Sequence, residues 1–120
     1  MPCLRIIKPP QGSESCYQLA AANDVIRQFR YYLVDRDLPG VAVRFRSAVR
    51  ISVDLLRQRP NAGARYRLGP SQLRVLRSLP VTGFEAVRIF YVVEEESLRI
   101  IRILDGKRDL KRILRNEGNS

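Results

Sequence analysis

The sequence predicts an α+β fold in which a helical hairpin packs on a small, mainly antiparallel sheet. Three observations carry that expectation. Between residues 16 and 57, apolar side chains recur at spacings of three and four. Residues 87–104 hold two Val- and Ile-rich runs that alternate in period two around an acidic turn at Glu94, Glu95 and Glu96. Apolar residues make up 45% of the 120, with no repeat, low-complexity tract or linker. The chain is therefore expected to form one domain over residues 1–120, with a core that needs neither disulfide nor metal.

The elements follow in order. Residues 3–8 read as a short strand, stopped by Pro9 and Pro10. Gln11, Gly12 and Ser13 make a turn, and Ser13 or Ser15 is placed to cap the next helix. From about residue 16 to residue 34, Leu19, Ala22, Ile26, Phe29 and Leu33 form one stripe, with Tyr17, Tyr31 and Tyr32 on or beside it. Residues 35–40, DRDLPG, break that pattern. A second helix runs to about Arg57 with Val41, Phe45, Ala48, Val49, Ser52, Leu55 and Leu56 inward, and Pro60, Asn61 and Gly63 end it.

A connector over residues 64–71 leads to a strand over residues 72–80, and Thr82, Gly83, Phe84 and Glu85 turn the chain into the hairpin. In its first strand Val87, Ile89, Tyr91 and Val93 share one face, and Arg88, Phe90 and Val92 the other. In its second, Leu98, Ile100, Arg102 and Leu104 alternate with Arg99, Ile101 and Ile103. Asp105 and Gly106 read as a helix-entry turn with glycine at positive φ. Asp109 then caps a last helix carrying Leu110, Ile113 and Leu114, and residues 115–120 form a polar, frayed tail. The expected architecture is an N-terminal strand, a helical hairpin, a three-stranded antiparallel meander and a short C-terminal helix.

Charge narrows the function. Twenty-two basic residues against twelve acidic give +10, spread evenly at +5 in each half of the chain. Nineteen of the basic residues are Arg and three are Lys. Arg offers a planar donor fork for carboxylates and phosphates but no base near neutral pH. Such a surface either stays solvated or meets an acidic partner, protein or nucleic acid. There is no histidine, which excludes the usual Ser-His-Asp and Cys-His systems. Cys3 and Cys16 supply too few ligands for zinc and read as reduced thiols, and no motif calls for a metal or cofactor. No apolar run approaches the roughly 20 residues a membrane helix needs. The start, MPCLRIIKPP, is unlike a signal peptide, so a cytoplasmic location is expected.

The run IFY at residues 89–91, followed by RILDGKRD at residues 102–109 and a short terminal helix, resembles the ParE/RelE superfamily of toxins from type II toxin–antitoxin pairs. LRVLRSLPV at residues 73–81 looks like that family's preceding strand, and the two helical stretches ending at Arg59 and Pro60 look like its N-terminal hairpin. Asp105 stands where many relatives have His. RelE-type members cut mRNA on the ribosome and bring a lysine cluster and a terminal aromatic. This chain has no lysine between Lys8 and Lys107 and ends in RILRNEGNS, so it looks closer to the ParE branch.

The resemblance implies a poison of DNA gyrase that arrests growth, a plasmid-stabilisation type of activity, neutralised by a small, acidic, ParD-like antitoxin. A RelE-like mRNA endonuclease acting with the ribosome, or a non-toxic remnant that still binds antitoxin, are the alternatives. Arg77, Arg88, Tyr91, Arg102 and Arg108 are the candidate target-binding residues, with Arg74 nearby; several are expected to converge on one sheet face. In a nuclease those cations would stabilise the phosphorane, and Tyr91, Glu85 or Asp105 would have to move protons. Tyr91 is catalytic only under that reading. Phe29, Tyr32, Leu33 and Phe45 are the candidate antitoxin-binding residues, on a stripe that otherwise serves as core.

Overall fold

The computed structural model describes residues 3–5, 14–67, 75–94, 97–106 and 110–118. Among the described residues six strands and three α-helices follow one another: β1 (Cys3–Arg5), β2 (Glu14–Gln18), α1 (Leu19–Arg30), α2 (Pro39–Gln58), β3 (Ala64–Tyr66), β4 (Leu76–Val81), β5 (Phe84–Glu94), β6 (Ser97–Asp105) and α3 (Leu110–Gly118). They form one sheet in the order β1-β2-β6-β5-β4-β3. The β4-β5-β6 meander is antiparallel, as expected, while β2 pairs with β6 in parallel.

Two short strands were hidden from the sequence. β2 takes the place of the expected helix start, so the backbone of Ser15 lies in a strand and the helix begins only at Leu19. Gln18 precedes α1 and makes no side-chain cap bond. β3 occupies the expected connector and pairs with β4 over three residues. Beyond α1 the helix widens into a π-helical turn (Tyr31–Asp35), and α2 opens with Pro39 in its first turn, where a missing N–H costs nothing. Gly83 turns β4 into β5 at φ 82°, a conformation that favours glycine. Gly106 is not at positive φ; its N–H continues the ladder to the Ala86 carbonyl at 2.7 Å. The last helix, α3, extends to Gly118, beyond the Leu114 at which the sequence pattern ends. Ser13, Asp109, Arg74, the first residues of the expected 72–80 strand and the side chains of Cys3 and Cys16 lie outside the described residues.

The sheet is covered on both faces. Helices α1 and α2 lie on one, where Ala21, Phe45, Val49, Val53 and Leu56 meet Ile89, Tyr91, Leu98 and Ile100. On the other, Leu114, with Leu110 and Ile113 beside it, meets Leu76, Phe90, Val92, Ile101 and Leu104. Strands buried on both faces read as nearly continuous apolar runs rather than clean alternation. The β5 alternation matches the sequence reading. That of β6 holds only as far as Ile100. The register shifts so that Tyr91 faces Ile100 while Phe90 faces Arg102, leaving Ile101 as the extra residue of a bulge. Ile103 consequently joins Ile100 in the helix-side core, and Leu104 joins Ile101 in the other.

The predicted stripe of α1 is displaced as well. Ala21 and Asp24 are buried, and Val25 and Tyr32 pack on the core, whereas Leu19 and Ile26 are 51% and 55% exposed. In α2 the expected inner face is right apart from Leu55, which is exposed; Ala42 and Val53 are buried beside it.

Candidate functional site

The end of α2 is fastened to the sheet by one tyrosine and one arginine. Tyr91, central on β5 and fully buried, donates its hydroxyl to the Pro60 carbonyl at 2.8 Å. The same oxygen accepts the Gly63 N–H at 2.8 Å. Arg77 stands directly opposite on β4 and donates to the Gly63 carbonyl at 2.8 Å, with a longer contact to that of Asn61. Gly63 is required here by close approach: a Cβ on it would lie 2.5 Å from the Tyr91 hydroxyl and 2.8 Å from the Ser78 carbonyl. Burial pushes the Tyr91 phenol above its ordinary pKa, an effect that the Gly63 N–H and the Arg77 charge oppose.

The remaining candidate target residues do not join that pair. Arg88 is on the opposite sheet face, where Nε and Nη2 both reach Ser78 Oγ, at 3.3 and 3.0 Å. Arg102 lies where β6 runs on past the end of β2 and its edge is left open. There Asp24 of α1 replaces the missing strand: its Oδ2 accepts the Ile103 N–H at 3.0 Å. Arg102 closes a two-pronged ion pair on the same carboxylate, Nε to Oδ2 at 2.7 Å and Nη2 to Oδ1 at 2.9 Å. Arg27 adds a bond to Oδ1 at 3.1 Å. The Asp24 side chain has no exposed surface and that of Arg102 only 11%, so this cation is engaged inside the molecule. Arg108 lies outside the described residues.

Proton-moving groups are similarly committed. Both hydrogen-bonding functions of the Tyr91 hydroxyl are used, and Glu85 accepts the Gly83 N–H at 2.7 Å in the β4–β5 turn. Asp105 ends β6 opposite Val87, half-buried. Among the described residues no group of three His, Cys, Asp or Glu side chains is arranged to hold a metal ion.

The candidate antitoxin residues divide by depth. Phe45 is fully buried and, with Phe84 and Tyr32, forms an aromatic cluster with centroids 5.4 to 5.8 Å apart. Phe29 is half-buried with the Arg46 guanidinium 5.2 Å from its ring centre, and Leu33 is exposed near the hairpin tip. Beside them sequence reasoning missed a groove of about 380 Å³ between α1 and α2. Tyr17, Ala22, Val25, Ile26, Val49 and Val53 give it an apolar floor, and Arg46 and Arg50 flank it. Burial pushes the Tyr17 hydroxyl at its end up to about 12, with nearby Arg57 pulling down and Asp54 adding to the rise. The signal that would have found the groove was Ile26, an apolar residue on the α1 stripe that the core leaves exposed.

A helical hairpin on one face of an antiparallel meander, with a short terminal helix on the other, is a RelE/ParE-like α+β arrangement. A chain from a chromosomal ParDE toxin–antitoxin system of P. aeruginosa has the same fold, with a TM-score of 0.57 at 22% identity over 74% of this chain and 90% of that one. The family described as the ParE toxin of the type II toxin–antitoxin system parDE matches residues 17–110, and the chain belongs to it. No curated protein matches the sequence. This is a ParE-type toxin, and none of its described helices is long and apolar enough to cross a membrane.

Proposed function

We propose that this ParE-type toxin arrests growth by binding, with DNA gyrase as its target, and that a small acidic antitoxin neutralises it. The observation that carries the binding mechanism is the engagement of the Tyr91 hydroxyl at both Pro60 and Gly63. The best-placed proton carrier of the sheet is thereby turned into a structural clamp, in a chain without histidine. General acid–base catalysis needs a group free to take and return a proton near the operating pH, and a phenol with a raised pKa is a poor one. A poison needs only a surface complementary to its target. Of the candidate target residues, Arg77 and Arg88 are half-buried and reach neutral partners, so they retain charge to offer an acidic target.

For the antitoxin, the groove between α1 and α2 supports a helix-in-groove mode of capture. An amphipathic helix would lay apolar side chains over Ile26, Val25 and Val49 and place carboxylates near Arg46 and Arg50. Phe29, whose ring meets groove-lining Arg46, and exposed Leu33 would extend that contact, whereas Tyr32 and Phe45 belong to the aromatic cluster with Phe84.

The test is a pair of assays on purified toxin. Gyrase supercoiling should be inhibited, with DNA cleavage complexes accumulating, and excess antitoxin should reverse both effects. Under the same conditions mRNA on translating ribosomes should stay intact. Codon-positioned mRNA cleavage with unaffected supercoiling would overturn the proposal in favour of a RelE-like nuclease.

A further inference from the structure

The stretch from Leu55 to Phe84 contains six arginines, at 57, 59, 65, 67, 74 and 77, and no aspartate or glutamate. The fold gathers part of this stretch at one side of the sheet, because β3 is the edge strand and β4 is its neighbour. Arg65 and Arg77 are direct register partners across the β3–β4 ladder. Like charges placed directly opposite one another in a sheet disfavour folding. Such an arrangement is stabilised when an anion sits between or beside them. Arg77 is steered onto the Gly63 carbonyl, and Arg59 starts the same turn, its carbonyl accepting the Ala62 N–H at 3.0 Å.

Arg59, Arg65 and Arg67 are exposed, and among the described residues none of them forms an ion pair. The nearest acidic residues in sequence are engaged elsewhere: Asp54 with Arg57 at 2.7 Å, and Glu85 with the Gly83 N–H. Elsewhere in the chain Arg27, Arg57, Arg99 and Arg102 each meet a carboxylate; what sets the β3 edge apart is the absence of any acidic residue from the surrounding stretch.

We infer that the β3 edge is a binding surface for the phosphate backbone of duplex DNA, formed by Arg59, Arg65 and Arg67 with Arg77 behind them. Arginine is well matched to phosphate, since its planar fork gives two parallel charge-assisted hydrogen bonds. A duplex fits better than a single strand. Single-strand binding surfaces add exposed aromatic rings on which bases stack, and the one aromatic of this edge, Tyr66, is half-buried with its ring held edge-on to Phe90 at 5.2 Å. Contacts of this kind position a protein on DNA without reading sequence. The surface is distinct from the α1–α2 groove, and its assignment does not depend on gyrase being the target.

The experiment is fluorescence anisotropy of the full chain with a labelled 20-bp duplex of arbitrary sequence, across a salt series. Arg59→Gln/Arg65→Gln/Arg67→Gln is compared with Arg30→Gln/Arg36→Gln/Arg44→Gln, which removes the same charge from exposed positions at the helical hairpin. Circular dichroism and urea unfolding confirm that both are folded, and Arg65→Glu serves as a single-site alternative. Each phosphate contact contributes about 0.9 to the slope of log K against log salt, so the edge variant should lose about 2.7 from that slope. Its affinity at low salt should fall at least tenfold, and that of the hairpin variant much less. Equal losses in the two triple variants would overturn the inference, because binding would then follow net charge alone. Tighter binding to single-stranded DNA of the same length would also overturn it. So would duplex affinity unchanged in the edge variant while its complex with an acidic antitoxin weakens, which would give the edge to a protein partner.

Discussion

Changing Tyr91 to Phe removes one oxygen and two hydrogen bonds while keeping a fully buried ring in the core. The Gly63 N–H and the Pro60 carbonyl lose their partner. A hydrogen bond contributes a net of about 0.5–1.5 kcal/mol, and a buried group left without one costs about 1–3 kcal/mol. Gly63 is buried and carries the larger cost, whereas half-buried Pro60 is open to water. Together these give a loss of about 2 kcal/mol. At roughly 4 °C per kcal/mol for a chain of this size, the unfolding midpoint should fall by about 8 °C. Urea and thermal unfolding measure the loss, and growth arrest per folded molecule measures function. Arrest should be unchanged, since a binding surface needs no proton from this hydroxyl. Stability equal to wild type would refute the clamp. A stable Tyr91→Phe chain that no longer arrests growth would refute the binding mechanism and restore a chemical role for the hydroxyl.

Gly63→Ala should be worse than Tyr91→Phe, because its Cβ collides with the Ser78 carbonyl as well as the tyrosine; a loss above about 2 kcal/mol in urea unfolding is expected, and a neutral effect would show that the loop is free to shift. Arg102→Ala leaves a buried carboxylate short of its main partner and should cost about 3–5 kcal/mol; unfolding within 0.5 kcal/mol of wild type would mean the pair is dispensable. Ile26→Glu places a charge on an exposed position of the groove and should weaken antitoxin binding at least tenfold with stability nearly unchanged, so undiminished affinity by calorimetry would put the antitoxin elsewhere. Tyr17 holds its proton to about pH 12 when folded but only to about 10 when unfolded. The stability this gives is full below pH 10 and is lost as pH rises from 10 to 12, by at most about 3 kcal/mol. Tyr17→Phe should remove that alkaline slope, and a slope that persists would assign it to other groups.

How much of this was legible in the sequence depends on which force set each feature. The α2 core face and the alternation of β5 were readable because burial imposes a period and the residues show it. The β6 register was not: Arg102, placed by alternation with Leu98 and Ile100, is displaced by a bulge that no local preference announces. Strands β2 and β3 have three to five residues and exist only because a longer strand lies alongside, so propensity had nothing to register. Asp24 is the instructive miss. A charged residue inside a helix reads as solvent-facing, yet the open edge of β6 draws it inward to satisfy the Ile103 N–H and the Arg102 guanidinium. Its burial then rotates the apolar stripe of α1 outward, which is how Ile26 comes to border a groove.

The same logic determines how a scan of the arginines has to be read. Removing Arg88, Arg102 and Arg108 together, an obvious test of a basic target face, combines unlike effects, because Arg102 belongs to a buried ion pair and its loss depletes the folded protein. Arrest lost in that variant would say nothing about a target until it is normalised to folded molecules. Arg59, Arg65 and Arg67 make a cleaner test: they are exposed, form no ion pair among the described residues, and their replacement should shift stability by no more than about 0.5 kcal/mol. If arrest falls in that triple variant while urea unfolding is unchanged, the edge acts on a partner, and the salt dependence of DNA binding identifies whether that partner is DNA. If arrest persists, the β3 edge has no part in toxicity, and half-buried Arg77 and Arg88 become the cations to examine next.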